Sequence, residues 1–223
     1  MSMFPRPLRA LAVAPLVAVV AAAAGIVATG SNRRLGATRE ESRRPLPGDE
    51  LLDGVDVQAD RAVTIAAAPD RVWPWIAQLG QDKGGFYSFA WVENLVGCDI
   101  HNADRIMPSW QDPQVGEPFP LHPKMVLTVA RVDPGEALVA SSTGGPAPQV
   151  TGMDFTWAFT IRALPPAPDG STATRLHVRE RYRAEGGPVR AGVEVVNLIS
   201  TVMSWQMIRT IKELAERPET ATD

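Results

Sequence analysis

Apolar and polar positions alternate through much of the second half of the chain and recur at helical spacing near its end. Residues 153–161 set Met153, Phe155, Trp157, Phe159 and Ile161 on one side and Asp154, Thr156, Ala158 and Thr160 on the other. That is the period of a strand in a sheet wet on one face only. β-rich stretches at Lys124–Val132, Ala137–Ser142, Met153–Leu164 and Thr172–Ala184 are separated by Asp133-Pro134-Gly135, Gly144-Gly145-Pro146 and Pro165–Gly170, the pattern of an antiparallel meander. From Val189 to about Arg217, Val193, Val196, Ile199, Val202 or Met203, Met207, Ile208 and Ile211 return at the spacing of one long helix.

The region before the meander reads as a strand followed by two short helices. Residues 57–67 alternate, with Val57, Ala59, Arg61, Val63 and Ile65 on one side, and Ala68-Pro69-Asp70 stops them. RVWPWIAQLG predicts a helix with Val72, Trp73, Ile76 and Leu79 inward and Gly80 past its end. FYSFAWVENLVG predicts a second, ended by Gly97, and the Pro-rich stretch from Asp99 to Pro123 is irregular, with a short helix at Ala103–Met107. The order predicts an α+β domain, a curved antiparallel sheet wrapped on a long C-terminal helix in a helix-grip arrangement, although other α+β layerings also cover these stripes.

The first thirty residues add a different signal. Ala10 to Ala28 contain no charge and no strongly polar side chain. Nineteen residues of helix extend about 28 Å, close to a bilayer's hydrocarbon thickness. The segment predicts a single transmembrane helix. A cleaved signal, with Arg6 and Arg9 ahead of Ala21–Ala24, or a loose tail are the other readings. Two arginines precede the run, and Arg33, Arg34, Arg39, Arg43 and Arg44 follow it, which favours a cytoplasmic main domain. Cys98 is the sole cysteine, so an oxidising compartment gains no support. The expected organisation is therefore an anchor or signal segment over 1–30, a polar linker over 31–54, a domain over 55–217 and a disordered tail over 218–223. Seven arginines and five acidic residues lie in the first 54 positions of a chain of net charge −3, leaving the domain near −5. That balance argues against a nucleic-acid partner.

Candidate chemistry is sparse. In Thr174–Ala184 the odd positions carry Arg175, His177, Arg179, Arg181 and Arg183, and the even ones Leu176, Val178, Glu180 and Tyr182. Turning the even side inward leaves the guanidinium groups in water and sets Glu180 and Tyr182 inside. There they orient a polar group of a guest, or Glu180 simply pairs with an arginine. The apolar wall Phe155, Trp157, Phe159, facing Val196, Met203 and Met207 of the long helix, lines either a packed core or a cavity. His101 sits between Asp99 and Asp104 but has no second His or Cys at ligand spacing; it reads as a loop clamp. Trp73, Trp75, Phe86, Tyr87, Phe89, Trp91 and Trp110 crowd the short helices and serve as core or as an entrance. No metal site, cofactor or catalytic residue is assigned.

Ala68-Pro69, Val72-Trp73-Pro74-Trp75, Gln78-Leu79-Gly80-Gln81, Gly84-Gly85-Phe86-Tyr87-Ser88, Glu93-Asn94, Asp99-Ile100-His101 and Val115-Gly116 together resemble bacterial SRPBCC proteins, the START-like, polyketide cyclase/dehydrase type. Thr174-Arg175-Leu176, Arg179, Arg181 and Tyr182 fit less specifically. The resemblance runs from Val63 to Glu216 and implies a helix-grip fold around an elongated cavity. It implies no reaction, since the superfamily holds carriers, receptors and cyclases alike. The expectation is a membrane-tethered protein that binds a small hydrophobic molecule, lipid or polyketide-like, between Phe155, Trp157, Phe159, Val196, Met203 and Met207, with Glu180 or Tyr182 as polar anchor. The alternatives are a cyclase or dehydratase using Glu180, Tyr182 or His101, and an interaction module with a filled core.

Overall fold

The computed structural model of the chain describes residue 25 and residues 29–218, apart from 96, 98, 99, 123, 124 and 145–151. Except for Gly25, the apolar run 10–28 lies outside the described residues, as does the tail after 218. Among the described residues, no helix is long and apolar enough to cross a membrane.

Seven strands form one sheet: β1 (Arg34–Leu35), β2 (Val57–Ile65), β3 (Pro118–His122), β4 (Met125–Asp133), β5 (Ala137–Ser141), β6 (Met153–Ala163) and β7 (Thr174–Ala184). Their order is β1-β2-β7-β6-β5-β4-β3, antiparallel throughout except for β1 beside β2. The meander matches the turn-punctuated alternation of the sequence. The first and last long strands, β2 and β7, pair next to the short edge strand β1, from Val57↔Tyr182 to Ile65↔Thr174. β3 falls inside the stretch read as irregular. Pro118 and Pro120 cannot donate to a ladder, and the sheet accommodates them on its edge.

Among the described residues the sheet is accompanied by the helices α1 (Arg39–Arg43), α2 (Pro69–Ala77), α3 (Ala90–Leu95) and α4 (Gly187–Ala215). Pro69 opens α2, where its missing N–H costs nothing. Trp75 takes the fully buried place expected for Trp73, which is only partly covered. No helix forms at Ala103–Met107; a single 3₁₀ turn follows at Pro108–Trp110. The 29 residues of α4 pack against β2, β7 and α2. The core runs between helix and sheet, with Val57, Ile65, Val72, Ile76, Phe159, Leu176, Val178, Ile208 and Ile211 all buried.

The stretch 31–54, expected as a linker, is folded against the domain: Asn32 and Arg33 bind α4, β1 extends the sheet, and residues from α1 to Asp49 cover the sheet's opposite face. Thr38 caps α1 in a reciprocal capping box with Glu41. Glu41 then grips Arg175 of β7 through both carboxylate oxygens, at 2.7 and 2.8 Å. Arg179, expected in water, is only 2% exposed. Its Nε donates to Asp60 at 2.7 Å and its Nη1 to Asp49 at 2.6 Å. Its remaining donors reach the carbonyls of Glu41, Ser42 and Arg44. His177 also meets Asp60, at 2.8 Å, and is buried. Five basic side chains on one strand face carry too much charge to be covered by an apolar layer. An acidic, carbonyl-rich strip receives Arg175, Arg179 and Arg181, while His177 meets Asp60 of β2 and the exposed Arg183 pairs with Asp154 of β6. Thr156 and Ala158 are buried as well, so β6 is not wet on its polar side.

Close approach explains Gly36 in this strip. Its φ is +72°, and a Cβ there would stand 2.2 Å from the Ala62 carbonyl oxygen. Only glycine lets β1 pass beside β2 at that point.

Candidate functional site: an apolar cavity with one polar end

Between α4 and the inner side of the sheet lies a cavity of about 560 Å³, within the range of small-molecule sites. β6 contributes Met153, Phe155 and Trp157, and β7 contributes Glu180 and Tyr182. From α4 come Val196, Ile199, Ser200, Met203, Ser204 and Met207, while Phe86, Ser88, Leu121, His122 and Met125 complete the lining. Phe155, Trp157, Glu180, Tyr182, Val196, Met203 and Met207 thus all meet at this space.

Phe159 does not. It is 0% exposed, stacked obliquely 4.8 Å from Trp157 and paired in register with Val178. Residues 153–161 extend about 27 Å, and α2 packs across β6. The inner end of the wall is therefore filled core and only its outer part borders open space. His101 is exposed and lies away from the cavity lining. Among the described residues no three His, Cys, Asp or Glu side chains are grouped to hold a metal ion.

The aromatic wall holds its shape through ring contacts. Trp157 meets Phe86, Phe119, Phe155 and Phe159 with centroids 4.8–6.3 Å apart, and Phe155 stacks on Tyr182 at 4.6 Å. The loop carrying Phe86 and Ser88 is clamped by Asn102. Its Oδ1 accepts from the Tyr87 N–H at 2.8 Å, and its Nδ2 donates to the Ser88 carbonyl at 2.9 Å. This holds Tyr87 at φ 54°, an uncommon backbone for a bulky residue. The Ser88 hydroxyl then donates to the Met203 carbonyl at 3.0 Å, which ties the loop to α4.

The polar end is built around Glu180. Its Oε1 accepts from Ser200 at 2.6 Å and Ser204 at 2.7 Å, and its Oε2 accepts from Tyr182 at 2.8 Å. Arg61 Nη1 stands 3.1 Å from Oε1, with both side chains essentially inaccessible. The guanidinium is anchored from its other side by Nη2, which donates to Thr201 at 3.0 Å. Burial, and then the adjacent Glu180 carboxylate, push the Tyr182 hydroxyl well above the usual tyrosine range. It therefore keeps its proton and directs it at Glu180. The three hydroxyls spend their protons on one carboxylate, so what they have left to offer a guest is oxygen lone pairs.

Sequence reasoning placed Glu180 and Tyr182 inside but did not find Arg61, Ser200 or Ser204. Arg61 was readable, because it interrupts the inward series Val57, Ala59, Val63 and Ile65. Ala59 is paired with Glu180, so Arg61 is a diagonal neighbour two residues along. Ser200 and Ser204 are one helical turn apart on the cavity side of α4, a polar break in an apolar stripe.

No family model and no curated protein matches the chain. Solved structures similar to it include protein MLL2253 from Mesorhizobium loti, at 16% identity and a TM-score of 0.39, covering 73% of this chain and 98% of that one. CalU16 from Micromonospora echinospora is similar at 14% identity and a TM-score of 0.33, over 71% of this chain and 83% of that one. The di-domain ARO/CYC protein StfQ of the steffimycin biosynthetic pathway is similar at 13% identity and a TM-score of 0.39, covering 76% of this chain and 53% of StfQ.

Proposed function

We propose that this chain is an SRPBCC-type carrier that encloses a small, largely hydrophobic molecule ending in a hydrogen-bond donor, such as a hydroxyl. We also propose that residues 10–28 hold it at a membrane. One observation carries the ligand reading: a space of about 560 Å³ has mostly apolar aromatic, aliphatic and methionine walls, with a polar cluster at Glu180, Tyr182, Ser200 and Ser204 and with Ser88 and His122 elsewhere on its lining. Apolar walls supply affinity at roughly 25 cal/mol per Å² of ligand surface removed from water. Methionines 153, 203 and 207 adapt to an irregular shape.

The polar end selects the headgroup. A donor finds the lone pairs of Tyr182, Ser200 and Ser204. An anionic headgroup finds oxygens whose protons are already committed, with the Glu180 carboxylate directly behind them, an arrangement that repels it. The same saturation speaks against general acid–base chemistry. Glu180 already meets three hydroxyls and Arg61, and Tyr182 holds its proton too tightly to be an effective acid.

The test is a titration of the purified full chain with a pyrene-labelled long-chain alcohol and the carboxylic acid of equal length, followed by fluorescence. The alcohol should bind about tenfold more tightly, the worth of one or two hydrogen bonds. Equal or tighter binding of the acid overturns the headgroup assignment, and failure of both probes to bind overturns the carrier reading.

A further inference from the structure

We propose that the mouth of the cavity is seated on a lipid bilayer, so that the guest passes between membrane and protein without crossing water. The proposal deepens the carrier reading and, for the passage of a guest, rests on it; the docking itself does not.

Its basis is an exposed apolar strip on α4 at the rim of the cavity, to whose lining Val196 and Ile199 themselves belong. Val195, Ile199 and Val202 recur at i, i+4 and i+7, and each is 59% exposed, with Val196 beside them at 45%. Valine and isoleucine scattered singly on a surface need no explanation, but a helical row of them on one helix does. Trp91 is 71% exposed and stands three residues past Ser88, which is bonded to Met203 of the same helix. A tryptophan beside an aliphatic row suits the interface between headgroups and acyl chains.

The strip lies between two landmarks around the helix. At 100° per residue, one flank carries Glu194 and Thr201, with Asn197 turned further round onto the buried back of the helix, and the other is the face of Val196, Met203 and Met207 that lines the cavity. The first flank holds the start of the described chain. Asn32 Nδ2 donates to Asn197 Oδ1 at 2.7 Å, Arg33 pairs with Glu194, and Thr201 donates to the Asn32 carbonyl at 3.2 Å. Four residues separate Asn32 from Ala28, the end of the nineteen-residue uncharged run, and four residues reach at most about 14 Å. Asn32 and Arg33 are bound to α4, so no long free tether intervenes. A bilayer that takes up residues 10–28 then lies within about 14 Å of Asn32, beside the α4 flank of Glu194 and Thr201 that borders the valine strip.

The chemistry of the run selects this occupant over a fold-back lid. A segment lying in the groove would be apolar on one side and polar on the other. Ala10–Ala28 is apolar all round, the character of a segment buried on every side. Beyond Val202 the strip turns polar at Gln206 and Arg209. These are positions for headgroup contacts with anionic lipid.

The experiment uses the full chain carrying Cys98→Ser and a single cysteine at Val202, labelled with an environment-sensitive fluorophore. It is reconstituted in vesicles of phosphatidylethanolamine and phosphatidylglycerol containing doxyl-labelled lipid. The label should lose roughly half its emission to the doxyl groups and shift to the blue. A label at Asp169, in the exposed turn before β7, should do neither. The pair V195N/V202N, at exposed positions outside the cavity lining, should slow transfer of the pyrene-labelled alcohol between vesicles about tenfold while leaving its affinity unchanged. No quenching at Val202, failure of the full chain to float with vesicles, or copy-to-copy cross-linking through that cysteine each overturns the docking. Quenching with no alcohol bound sustains the docking and overturns the carrier reading; alcohol bound with no quenching does the reverse.

Discussion

Arg61 and Glu180 face each other at 3.1 Å with side chains 0% and 1% exposed, so each is the buried counterpart of the other. Breaking a buried pair from one side costs about 3–5 kcal/mol, because the remaining charge has no counterpart. Arg61→Met should therefore lower unfolding free energy in urea by about that amount, and Glu180→Gln by a similar one. The double variant R61M/E180Q removes both charges while the amide oxygen still accepts from Ser200 and Ser204. It should recover about 2 kcal/mol or more relative to the sum of the singles. Additive losses would show that the two groups are not coupled.

This pair also shows where reading the sequence works and where it stops. Period-two alternation identified the inner side of β7, and Leu176, Val178, Glu180 and Tyr182 are all buried there. Helical spacing located α4 to within two residues at each end. What alternation cannot show is the far side of the sheet. Five basic residues on one face of β7 looked like a wet surface because water is the cheapest place for a guanidinium. The alternative needed acidic groups from elsewhere, and Glu41 and Asp49 lay in a stretch whose Arg, Glu and Pro content looks unstructured. Charge that cancels between distant segments leaves no local periodic signal. Phe159 escaped for a related reason: alternation gives the side a residue faces, not how far along the strand the open space extends.

The outer strip makes the protein acid-labile at a defined place. Hydrogen bonding from Arg175, against the opposing effect of partial burial, lowers the Glu41 carboxyl from its ordinary 4.5 to about 2. Burial alone would raise Asp60, but His177, Arg179 and Gln58 hold it below its ordinary value. A carboxyl held lower in the folded chain than in the unfolded one stabilises the fold above its unfolded value. That contribution disappears as pH falls through the folded one. Residues 34–51 should therefore lose hydrogen-exchange protection between about pH 4.5 and 2, ahead of β5 and β6. Glu41→Gln should weaken protection of the strip at neutral pH and flatten its acid dependence.

Gly36 tests whether the strip is packed rather than merely adjacent. Alanine there meets two penalties, the left-handed backbone at φ +72° and a Cβ 2.2 Å from the Ala62 carbonyl oxygen. Gly135 shares a comparable φ of +81° but has nothing within 4 Å of its would-be Cβ. Gly135→Ala should cost only about 1–2 kcal/mol, the backbone penalty. Gly36→Ala should exceed it by at least about 1 kcal/mol and free the Arg175 contact with the Gly36 carbonyl. Equal losses in chemical denaturation would mean that β1 can move away from β2 without consequence.

Tyr182 connects stability and ligand choice, and phenylalanine there separates them. The substitution removes one hydrogen bond to a charged group, the 2.8 Å contact with Glu180 Oε2, and should cost about 1.5–3 kcal/mol of stability. Arg61, Ser200 and Ser204 still satisfy Oε1, so the fold survives. The cavity keeps its shape, since Phe155 stacks on the ring and not on the hydroxyl. A guest that donates to the Tyr182 oxygen loses that bond, so the pyrene-labelled alcohol should bind about tenfold more weakly. A pyrene-labelled alkane of the same length has no such bond to lose and should bind as before. Equal weakening of both would mean that the hydroxyl acts through the shape of the wall, and that the polar end of the cavity does not read the headgroup.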